Sequence, residues 1–337
     1  MLLLIIIPRQ ERTTGNWITA SRLQQGLVAL GHHAGIIETD GAAEELRAAV
    51  TAAAPQLVLL LHAWRSGRPW LETQLSLPYA VLLTGTDVNL GLHDPQQAPG
   101  IMTVLERAAA IFSQNALTVA ELQGTHPQLA ARLHHLPPGI VLGTAPFPLR
   151  ARLGAAPAEP VLLCPAGIRP VKGVVELIDA CAPLRDEDFS LRLAFCGPLL
   201  DRTYAERFLD RIARTPWASW LGTIPPEAMP DAMRHADLIV SYAFSEGLPN
   251  ALVEAVALGR PVVARAIPGN QAVVTDGVNG LLFADAAGFR AAVRRLLLDP
   301  ELRAALSVPA PQRFSAHDEA GALAAICQTI LTEPSQA

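Results

Sequence analysis

Residues 238–255 read LIVSYAFSEGLPNALVEA, and this stretch indicates the class of fold. The apolar run Leu238–Tyr242 predicts a short buried strand. Pro249 suits the first turn of a helix, and the apolar residues that follow it have helical spacing. The stretch therefore predicts a strand, a loop and a helix, which is the unit repeated in parallel α/β sheets.

The loop between this strand and this helix carries the candidate chemistry. Four residues stand where the helix begins: Gly247, Leu248, Pro249 and Asn250. Backbone amides at a helix start lie at its positive end and are unpaired within the helix, so they form a seat for phosphate. Glu246 and Glu254 bracket that seat. Because carboxylates repel phosphate, we expect them to bind sugar and ribose hydroxyls. Two solvated surface carboxylates are the alternative, which the apolar flanking residues disfavour.

A single lysine stands among the 26 basic residues of a chain rich in alanine, proline, glycine and arginine. Lys172 lies in residues 167–173 (GIRPVKG), just after the apolar run Val161–Pro165. A compact ammonium on a flexible stem recurs in proteins as a point charge for phosphate. We predict that Lys172 and Arg169 supply positive charge to the phosphate seat. A lysine left at the surface by chance is the alternative.

The composition describes a well-buried globular protein, and 337 residues are enough for two domains. A net charge of −5 argues against a general nucleic-acid binder, while a local basic pocket for a small anion stays compatible with it. The opening Met1–Ile7 lacks a basic segment and a cleavage site, and is interpreted as a buried strand. No apolar run is long enough to span a bilayer. These features predict a cytoplasmic protein.

The four cysteines and four of the nine histidines have no spacing that suggests a metal site. Cys164 and Cys196 fall in predicted buried strands, so reduced core thiols are expected. Four histidines are assigned to turns: His32, His33, His134 and His135.

Short apolar strands alternate with amphipathic helices, such as Trp17–Leu30 and Ala42–Ala53, throughout the chain. The strands predicted in the first half are Leu2–Ile7, Ala34–Ile37, Leu57–Leu61, Ala80–Leu83 and Ala110–Phe112. The strands predicted in the second half are Val161–Cys164, Leu191–Phe195, Trp217–Leu221, Leu238–Tyr242, Pro261–Ala264 and Leu281–Phe283. The pattern predicts two doubly wound, Rossmann-like α/β domains with parallel sheets that face a central cleft.

A stretch rich in proline and alanine at residues 152–160 separates the two halves. We predict an N-terminal domain at residues 1–152 and a C-terminal domain at residues 153–315. Residues 316–337 are predicted as a C-terminal helix, for which a return to the N-terminal domain is one option.

Ligands of such sheets bind beyond the carboxyl ends of the strands, so the following loops are candidate sites. After the first strand, Gly15 and Asn16 lie at a helix start, where a glycine lets the backbone approach a ligand. A purely steric need for glycine is the alternative. After the third strand, His62 and Arg65 suit hydrogen bonds to sugar hydroxyls or to an anionic acceptor. A capped core histidine is the alternative.

Two further loops complete the set of candidates. Residues 84–89 (TGTDVN) follow the fourth strand with four polar side chains, more than a turn requires, although turn chemistry explains Gly85 and Asp87. In the second half, Gly197 ends a strand where a nucleotide could approach the backbone. Residues 220–225 (WLGTIP) have the same form after the next strand.

These motifs resemble the retaining nucleotide-sugar glycosyltransferases of family four, which have the GT-B fold. Glu246 and Glu254 match the E-x7-E motif of that family, and residues 167–173 match its basic diphosphate loop. Gly222 with Ile224-Pro225 and the run 251–264 fit as well. The resemblance spans nearly the whole chain.

Two subfamilies are similar to different parts of the sequence. Residues 14–16, 85–89 and 267–270 look most like the glycosyltransferase 1 domain-containing proteins. Residues 15–17, 61–63 and 65–66, together with residues 83–87, also resemble the selenosugar synthases of selenoneine biosynthesis. Those enzymes join a nucleotide-activated sugar to selenophosphate, so both subfamilies stay open at this point.

The resemblance implies a role for each candidate residue on the donor side. Arg169 and Lys172 would hold the diphosphate and stabilise its charge as it leaves. Glu254 would hold the ribose hydroxyls, Glu246 the sugar hydroxyls and the backbone of Ile224 the base. The backbone amides of Gly15, Asn16, Leu248 and Asn250 would donate further hydrogen bonds. The donor-binding site would also include Gly197, Gly247 and Pro249.

The resemblance also implies the acceptor side and the chemistry. His62, Arg65 and Asp87 would face the acceptor, with Thr86 and Asn89 in the same loop. The N-terminal domain would be the acceptor side, and the C-terminal domain would bind the nucleotide sugar. Transfer from a UDP-sugar to a small acceptor would retain configuration by a front-face route with no enzymic nucleophile. No cofactor besides the nucleotide-sugar co-substrate and no metal is expected.

One departure from the family and several alternatives remain. Family members usually place a Gly-Gly pair and then a glutamate before the Asp276-Gly277 turn, where this chain has Pro268-Gly269 and Ala272. A pyridoxal phosphate enzyme using Lys172 as its Schiff-base lysine is one alternative. The others are a nucleotide-sugar epimerase or hydrolase, a non-catalytic nucleotide-sugar sensor and a selenosugar synthase that uses selenophosphate.

Overall fold

Two parallel six-stranded sheets organise the chain, which a computed structural model describes for residues 1–10, 14–186, 190–310 and 315–332. The chain divides into an N-terminal unit of Met1–Val141 with Phe314–Ala337, and a C-terminal unit of Leu142–Arg313. Each unit contains one of the sheets. The prediction of two parallel-sheet α/β domains is therefore confirmed.

The N-terminal unit has its strands in the order β2-β1-β3-β4-β5-β6, all parallel. The strands are β1 (Leu2–Pro8), β2 (His33–Thr39), β3 (Leu57–Leu61), β4 (Tyr79–Leu83), β5 (Ala110–Ser113) and β6 (Leu133–His135). The helices are α1 (Gly15–Ala29), α2 (Ala43–Ala53), α3 (Gly67–Glu72), α4 (Thr86–Asn89), α5 (Ala98–Arg107), α6 (Ala116–Thr125) and, near the C-terminus, α15 (Ala316–Thr332). Two 3₁₀ segments lie at Gly91–His93 and Pro127–Arg132.

The C-terminal unit has its strands in the order β12-β11-β10-β7-β8-β9, again all parallel. The strands are β7 (Val161–Pro165), β8 (Arg192–Cys196), β9 (Ala218–Trp220), β10 (Leu238–Ser241), β11 (Val262–Arg265) and β12 (Gly280–Phe283). The helices are α7 (Leu149–Leu153), α8 (Val174–Asp186), α9 (Arg202–Ala213), α10 (Met229–Arg234), α11 (Asn250–Ala257), α12 (Pro268–Gln271), α13 (Ala286–Leu298) and α14 (Pro300–Ala305). A 3₁₀ segment lies at Pro170–Lys172.

The strand β1 shows how the N-terminal sheet is covered on both faces. Successive side chains of a strand point to opposite faces, so its continuous apolar run needs a core on each side. Ile5 packs with Leu23 of α1 and Leu323 of α15. Ile6 belongs to the opposite core, which includes Leu46 of α2. Helices on both faces explain why the strands read as uninterrupted apolar runs.

Each sheet has one position where the chain order reverses, and ligands of such sheets bind beyond the strand ends there. In the N-terminal sheet the reversal lies between β1 and β3, where Ile5 pairs with Leu59. In the C-terminal sheet it lies between β7 and β10, where Leu163 pairs with Ile239. A ligand site is therefore expected in the loops that follow β1, β3, β7 and β10.

The observed division of the chain differs from the predicted boundary at residue 152, because it falls between Val141 and Leu142. Part of the predicted linker forms α7, which belongs to the C-terminal unit. The Arg150 guanidinium on α7 pairs with the Asp237 carboxylate at 2.8 Å, next to the start of β10. The stretch therefore packs as part of a domain, although its sequence has no periodicity.

Three of the four histidines assigned to turns lie in strands instead. His33 begins β2, and His134 and His135 form most of β6, which the sequence did not predict. Phe112 of β5 contacts the His134 ring, with 5.6 Å between the ring centroids. Packing against a neighbouring strand, rather than local apolar character, makes this segment a strand.

Candidate active site

The centre of the candidate site is an ion pair between Lys172 and Glu246 in the C-terminal unit. The loop after β7 carries the ammonium, and the loop after β10 carries the carboxylate. The two side chains are only 16% and 12% exposed. The two loops are also joined by the Phe244 amide, which donates to the Val171 carbonyl at 2.8 Å. The reversal of strand order therefore brings together residues that are 74 positions apart in the sequence.

Arg169 provides a second cation in the loop of Lys172. It is partly buried and lies directly before the 3₁₀ segment that carries Lys172. Its Nε is buried and has no hydrogen-bond partner in the part of the chain that the structure describes. An unsatisfied buried donor costs about 1–3 kcal/mol, which a bound anion would recover. This loop is thus suited to a phosphate or diphosphate group.

Gly173 and Gly269 allow the backbone to approach the ion pair closely. Gly173 has φ +60°, and a Cβ there would lie 2.7 Å from the Tyr242 carbonyl oxygen. A Cβ on Gly269 would lie 2.4 Å from the Glu246 carbonyl oxygen. The start of α12 therefore packs directly against the backbone of Glu246. Gly269 was not predicted as a site residue, because no local pattern reveals its contact with Glu246, which is distant in the sequence.

The remaining donor-side candidates surround the same sheet edge. Glu254 lies on α11 and is partly buried. Burial is the main cause of the raised pKa of the Cys196 thiol, and the nearby Glu254 charge also raises it. The predicted start of α11 shifts slightly, because Pro249 caps the helix and Asn250 is its first residue. Gly247 and Leu248 are partly buried in the loop before it. These residues therefore lie where the sequence places the phosphate seat, directly before the first residue of α11.

Gly197 and Ile224 have structural reasons for their residue types. Gly197 has φ +142°, and a Cβ there would lie 2.2 Å from the Ala166 carbonyl oxygen. Its amide donates to the Gly222 carbonyl at 2.9 Å, which links the loops after β8 and β9. The Ile224 side chain is buried, so only its backbone could contact a ligand. Gly197 therefore fixes the shape of the loop that carries Arg169.

The four cysteines are free and buried among the described residues, as predicted for reduced core thiols. Burial raises the pKa of the Cys164 thiol to about 12, so this sulfur stays protonated at neutral pH. A role in nucleophilic chemistry is not supported by that environment.

In the N-terminal unit, the loops after β3 and β4 meet at His62. The His62 ring is buried, and its Nδ1 accepts from the amides of Trp64 and Arg65, each at 3.2 Å. This leaves the ring proton on Nε2, which lies 3.1 Å from Thr86 Oγ1. His62 also has φ +78°, an uncommon backbone conformation for a residue with a side chain. The structure therefore holds one edge of the ring in the loop and turns the other edge to Thr86.

Asp87 has a different role from the one predicted. Its side chain is fully buried and accepts hydrogen bonds from four backbone amides: Ala63 at 2.8 Å, Gly85 at 2.9 Å, Thr84 at 3.0 Å and Val88 at 3.2 Å. These amides satisfy the carboxylate, so direct contact with an acceptor is not available to it. Asp87 instead ties the loop after β4 to the loop after β3 and thereby positions His62 and Thr86.

The other predicted residues of this unit lie at the same edge of the sheet. Gly15 is the exposed first residue of α1, and Asn16 follows it. Arg65 is exposed, and its guanidinium lies 3.5 Å from the Arg9 carbonyl at the end of β1. Thr86 and Asn89 are partly buried in α4.

The environment of His62 predicts how the stability of the protein depends on pH. Burial lowers the pKa of His62 below its usual value of 6.5, and the Arg65 charge acts in the same direction, while Asp87 at 3.9 Å opposes them. The unfolded chain therefore takes up a proton first as the pH falls below 6.5. We expect this group to reduce the free energy of unfolding by up to about 1.4 kcal/mol per pH unit between 6.5 and its lowered pKa.

The measurement is urea unfolding of the wild type and of His62→Asn at pH 7.5, 6.5 and 5.5. Asparagine keeps an acceptor near the position of Nδ1 and tolerates the positive φ, but does not titrate. The stability of His62→Asn should fall less steeply below pH 6.5 than that of the wild type. A His33→Asn control, at an exposed position, should follow the wild type. Parallel curves for His62→Asn and the wild type would contradict the assignment.

The described residues also bear on metal binding and on membrane insertion. They contain no group of three or more histidine, cysteine, aspartate or glutamate side chains arranged to hold a metal ion. Within the same residues, no helix combines the length and the apolar character needed to cross a membrane.

Comparison with known proteins identifies the class. The family described as glycosyl transferases group 1 matches residues 159–299. Glycosyltransferase 1 domain-containing protein 1 of Xenopus tropicalis is 27% identical over 305 residues, which cover 86% of each chain. A D-inositol 3-phosphate glycosyltransferase 1 of Catenulispora acidiphila is 30% identical over 286 residues, covering 76% of this chain and 67% of that one.

Solved structures share the fold over nearly the whole chain. Sucrose-phosphate synthase from Thermosynechococcus elongatus has a TM-score of 0.81 and 18% identity, covering 98% of this chain and 99% of that one. HepE from Anabaena, in complex with UDP and glucose, has a TM-score of 0.76 and 18% identity, covering 97% and 99%. The fold and the matched segment define a two-domain α/β glycosyltransferase of the GT-B type. The chain belongs to the group 1 glycosyltransferases.

Proposed function

We propose that this enzyme transfers a sugar from a nucleotide-sugar donor, a UDP-sugar, to a small acceptor in the cytoplasm, with retention of configuration. The observation that carries the proposal is the Lys172–Glu246 pair at the reversal of strand order in the C-terminal unit. A HepE structure that contains UDP and glucose on the same fold supports the choice of donor.

The geometry suggests which part of the donor each charged side chain contacts. An ammonium has three N–H donors, so Lys172 can keep its bond to Glu246 and still donate to a diphosphate. Arg169, with its unsatisfied buried Nε, would bind the same group. Both cations stabilise charge that grows as the diphosphate leaves, so they lower the barrier more than they tighten substrate binding. Glu246 and Glu254 are proposed to accept hydrogen bonds from the sugar and ribose hydroxyls.

Retention follows in this proposal from a front-face route. The departing phosphate helps to deprotonate the acceptor, so that the acceptor oxygen bonds to the anomeric carbon on the side from which the diphosphate leaves. No covalent enzyme intermediate is required. Comparison of the product with reference samples of both anomers tests this point.

Binding of UDP tests the donor half of the proposal. At a UDP concentration 100 times its Kd, we expect about 2.7 kcal/mol of stabilisation, seen as a higher melting temperature. Uridine, which lacks the diphosphate, should give a much smaller shift. Arg202→Gln, at an exposed helix position, is the control and should respond like the wild type. A wild type that does not respond to UDP or to other nucleoside diphosphates would refute the proposed donor class.

A selenosugar synthase is the second candidate, and Arg65 at the end of β3 favours it because selenophosphate is an anion. Mass spectrometry of products formed with selenophosphate distinguishes it from transfer to a carbon-based acceptor. Products formed from donor alone would indicate an epimerase or hydrolase instead.

A further inference from the structure

An arginine at the carboxyl end of β11 lies among aromatic rings in the C-terminal unit. Arg265 is partly buried, and its guanidinium carbon lies 4.4 Å from the centroid of the Tyr242 ring and 4.7 Å from that of the Phe244 ring. The centroid of the Phe283 ring is 5.3 Å away. A guanidinium within about 6 Å of a ring centroid is attracted to the ring, and more strongly where water is excluded. Arg265 therefore links the loop after β10 to the end of β12.

Hydrogen bonds fix the position of Arg265 itself. Its backbone carbonyl accepts from the side-chain amide of Asn270 at 2.9 Å, and Asn270 is fully buried. Its guanidinium donates to the Ala284 carbonyl at 3.0 Å. Because the backbone and the side chain are both held, the guanidinium has a defined place against the rings.

Phe244 contacts the residues on either side of Lys172. Its amide donates to the Val171 carbonyl at 2.8 Å. Its ring lies against Gly173, since a Cβ on that glycine would be 3.1 Å from Phe244 Cε2. Phe244 also stands two residues before Glu246 in the chain. The position of this one side chain therefore affects both loops that form the Lys172–Glu246 pair.

Burial alone does not fix the orientation of the Phe244 ring, which is 48% exposed. Its contacts with Gly173, Tyr242 and Arg265 restrict it instead. Gly173 and Tyr242 belong to the loops that carry the ion pair. Arg265 belongs to neither loop, so its replacement tests the contact without altering the backbone of either one.

We propose that Arg265 is a positioning residue of the donor site: it holds the Phe244 ring, and Phe244 in turn fixes the loop that carries Lys172. The diphosphate is the part of the donor that depends on this contact, because Lys172 is the proposed point charge for it. The inference rests on the proposed function, to which it adds a residue that does not itself touch the donor.

Calorimetric titration of the full chain with UDP tests this role, because UDP carries the diphosphate charge. Arg265→Met keeps apolar volume beside the rings and removes the cation, so it should weaken UDP binding by roughly threefold to tenfold, the effect of losing a cation–π contact. The affinity for uridine, which lacks the diphosphate, should not change. Arg265→Lys keeps a cation at the rings and should restore part of the affinity for UDP.

A double-mutant cycle shows whether Arg265 acts through Phe244. Phe244→Leu should weaken UDP binding to a similar extent as Arg265→Met. The variant that combines both changes should bind UDP about as well as the weaker of the two single variants, because each change breaks the same contact. Fully additive losses would mean that Arg265 acts on the diphosphate directly, which would overturn the positioning role.

The matched control is Arg152→Met on α7, which also removes an arginine–aromatic contact in the C-terminal unit. The Arg152 guanidinium carbon lies 4.6 Å from the centroid of the Phe147 ring, and α7 carries none of the proposed donor residues. This variant should bind UDP like the wild type. Weakening of UDP binding to the same degree as in Arg265→Met would overturn the proposal.

Hydrogen exchange followed by NMR separates positioning from general stability. The Phe244 amide should exchange faster in Arg265→Met than in the wild type, because its bond to the Val171 carbonyl opens more often. The Ile239 amide, which donates to the Pro261 carbonyl within the sheet, should exchange at the wild-type rate. Equal acceleration of both amides would mean that Arg265 contributes only to stability, and the proposal would be wrong.

The titration also distinguishes failure of this inference from failure of the proposed function. If the wild type binds UDP and Arg265→Met binds it equally well, the positioning role is refuted and the proposed donor still stands. If the wild type binds neither UDP nor another nucleoside diphosphate, the proposed function and this inference are refuted together.

Discussion

Replacement of Lys172 by alanine is expected to lower the rate of sugar transfer by about 10²- to 10³-fold, the usual effect of removing one preorganised contact to developing charge. The reason is that the ammonium stabilises the diphosphate more in the transition state than in the bound donor. The effect should therefore appear mainly in kcat, with a smaller change in KM for the donor.

Lys172→Arg separates charge from geometry at this position. The guanidinium keeps the positive charge but is planar and larger, so it cannot occupy the same point beside Glu246 without displacement. We expect an intermediate rate, above that of Lys172→Ala and well below that of the wild type. Near-complete activity of Lys172→Arg would show that charge alone is sufficient.

The measurement is steady-state release of UDP with a saturating acceptor, combined with a melting curve for each variant. The melting curve is needed because Lys172→Ala leaves the partly buried Glu246 without its cation and should lower stability as well. Arg202→Gln serves as the control for loss of a cation at the surface. Turnover of Lys172→Ala close to the wild-type value, in a folded protein, would be incompatible with the proposed mechanism.

The sequence predicted the parts of the fold that depend on local patterns. Every strand with a continuous apolar run was found within a residue or two, because burial on both faces of a parallel sheet requires such runs. The strand β6 was missed since Leu133 is its one buried apolar residue and two histidines follow. Its pairing with β5 depends on a neighbour that the local pattern does not reveal.

The candidate site was predictable only where residue type and place in the loop pointed to the same chemistry. Lys172 and Glu246 were predicted to act on one ligand, and the structure brings them into contact. The role of Asp87 was predicted wrongly. An aspartate at that loop position can either contact an acceptor at the surface or be buried and bind four backbone amides, and the residue type alone does not distinguish the two. The packing of Gly269 against Glu246 was not predictable from sequence, since it arises only from tertiary packing.

The attachment of α15 to the N-terminal unit is another long-range feature, and it includes one buried ion pair beside apolar packing. Arg22 of α1 and Glu319 of α15 are 297 residues apart, and their side chains are only 6% and 0% exposed. The carboxylate accepts hydrogen bonds from two guanidinium N–H groups, at 2.7 and 3.1 Å, and from the side-chain amide of Gln114 at 2.6 Å. Beside it, a Cβ on Gly26 would lie 2.6 Å from Ala320 Cβ, so the two helices pack closely.

Glu319→Ala should therefore lower the free energy of unfolding by about 3–5 kcal/mol, because it leaves the Arg22 cation buried without a partner. Urea unfolding measures the loss, and Glu206→Ala, in an exposed pair with Arg202, should change it by no more than about 1 kcal/mol. The double variant Arg22→Met with Glu319→Leu removes both charges and keeps apolar volume, so it should recover most of the loss. An equal loss in the single and double variants would mean that the pair itself, rather than the desolvated cation, provides the stability. A loss no larger than that of Glu206→Ala would mean that the apolar face of α15 alone attaches this helix.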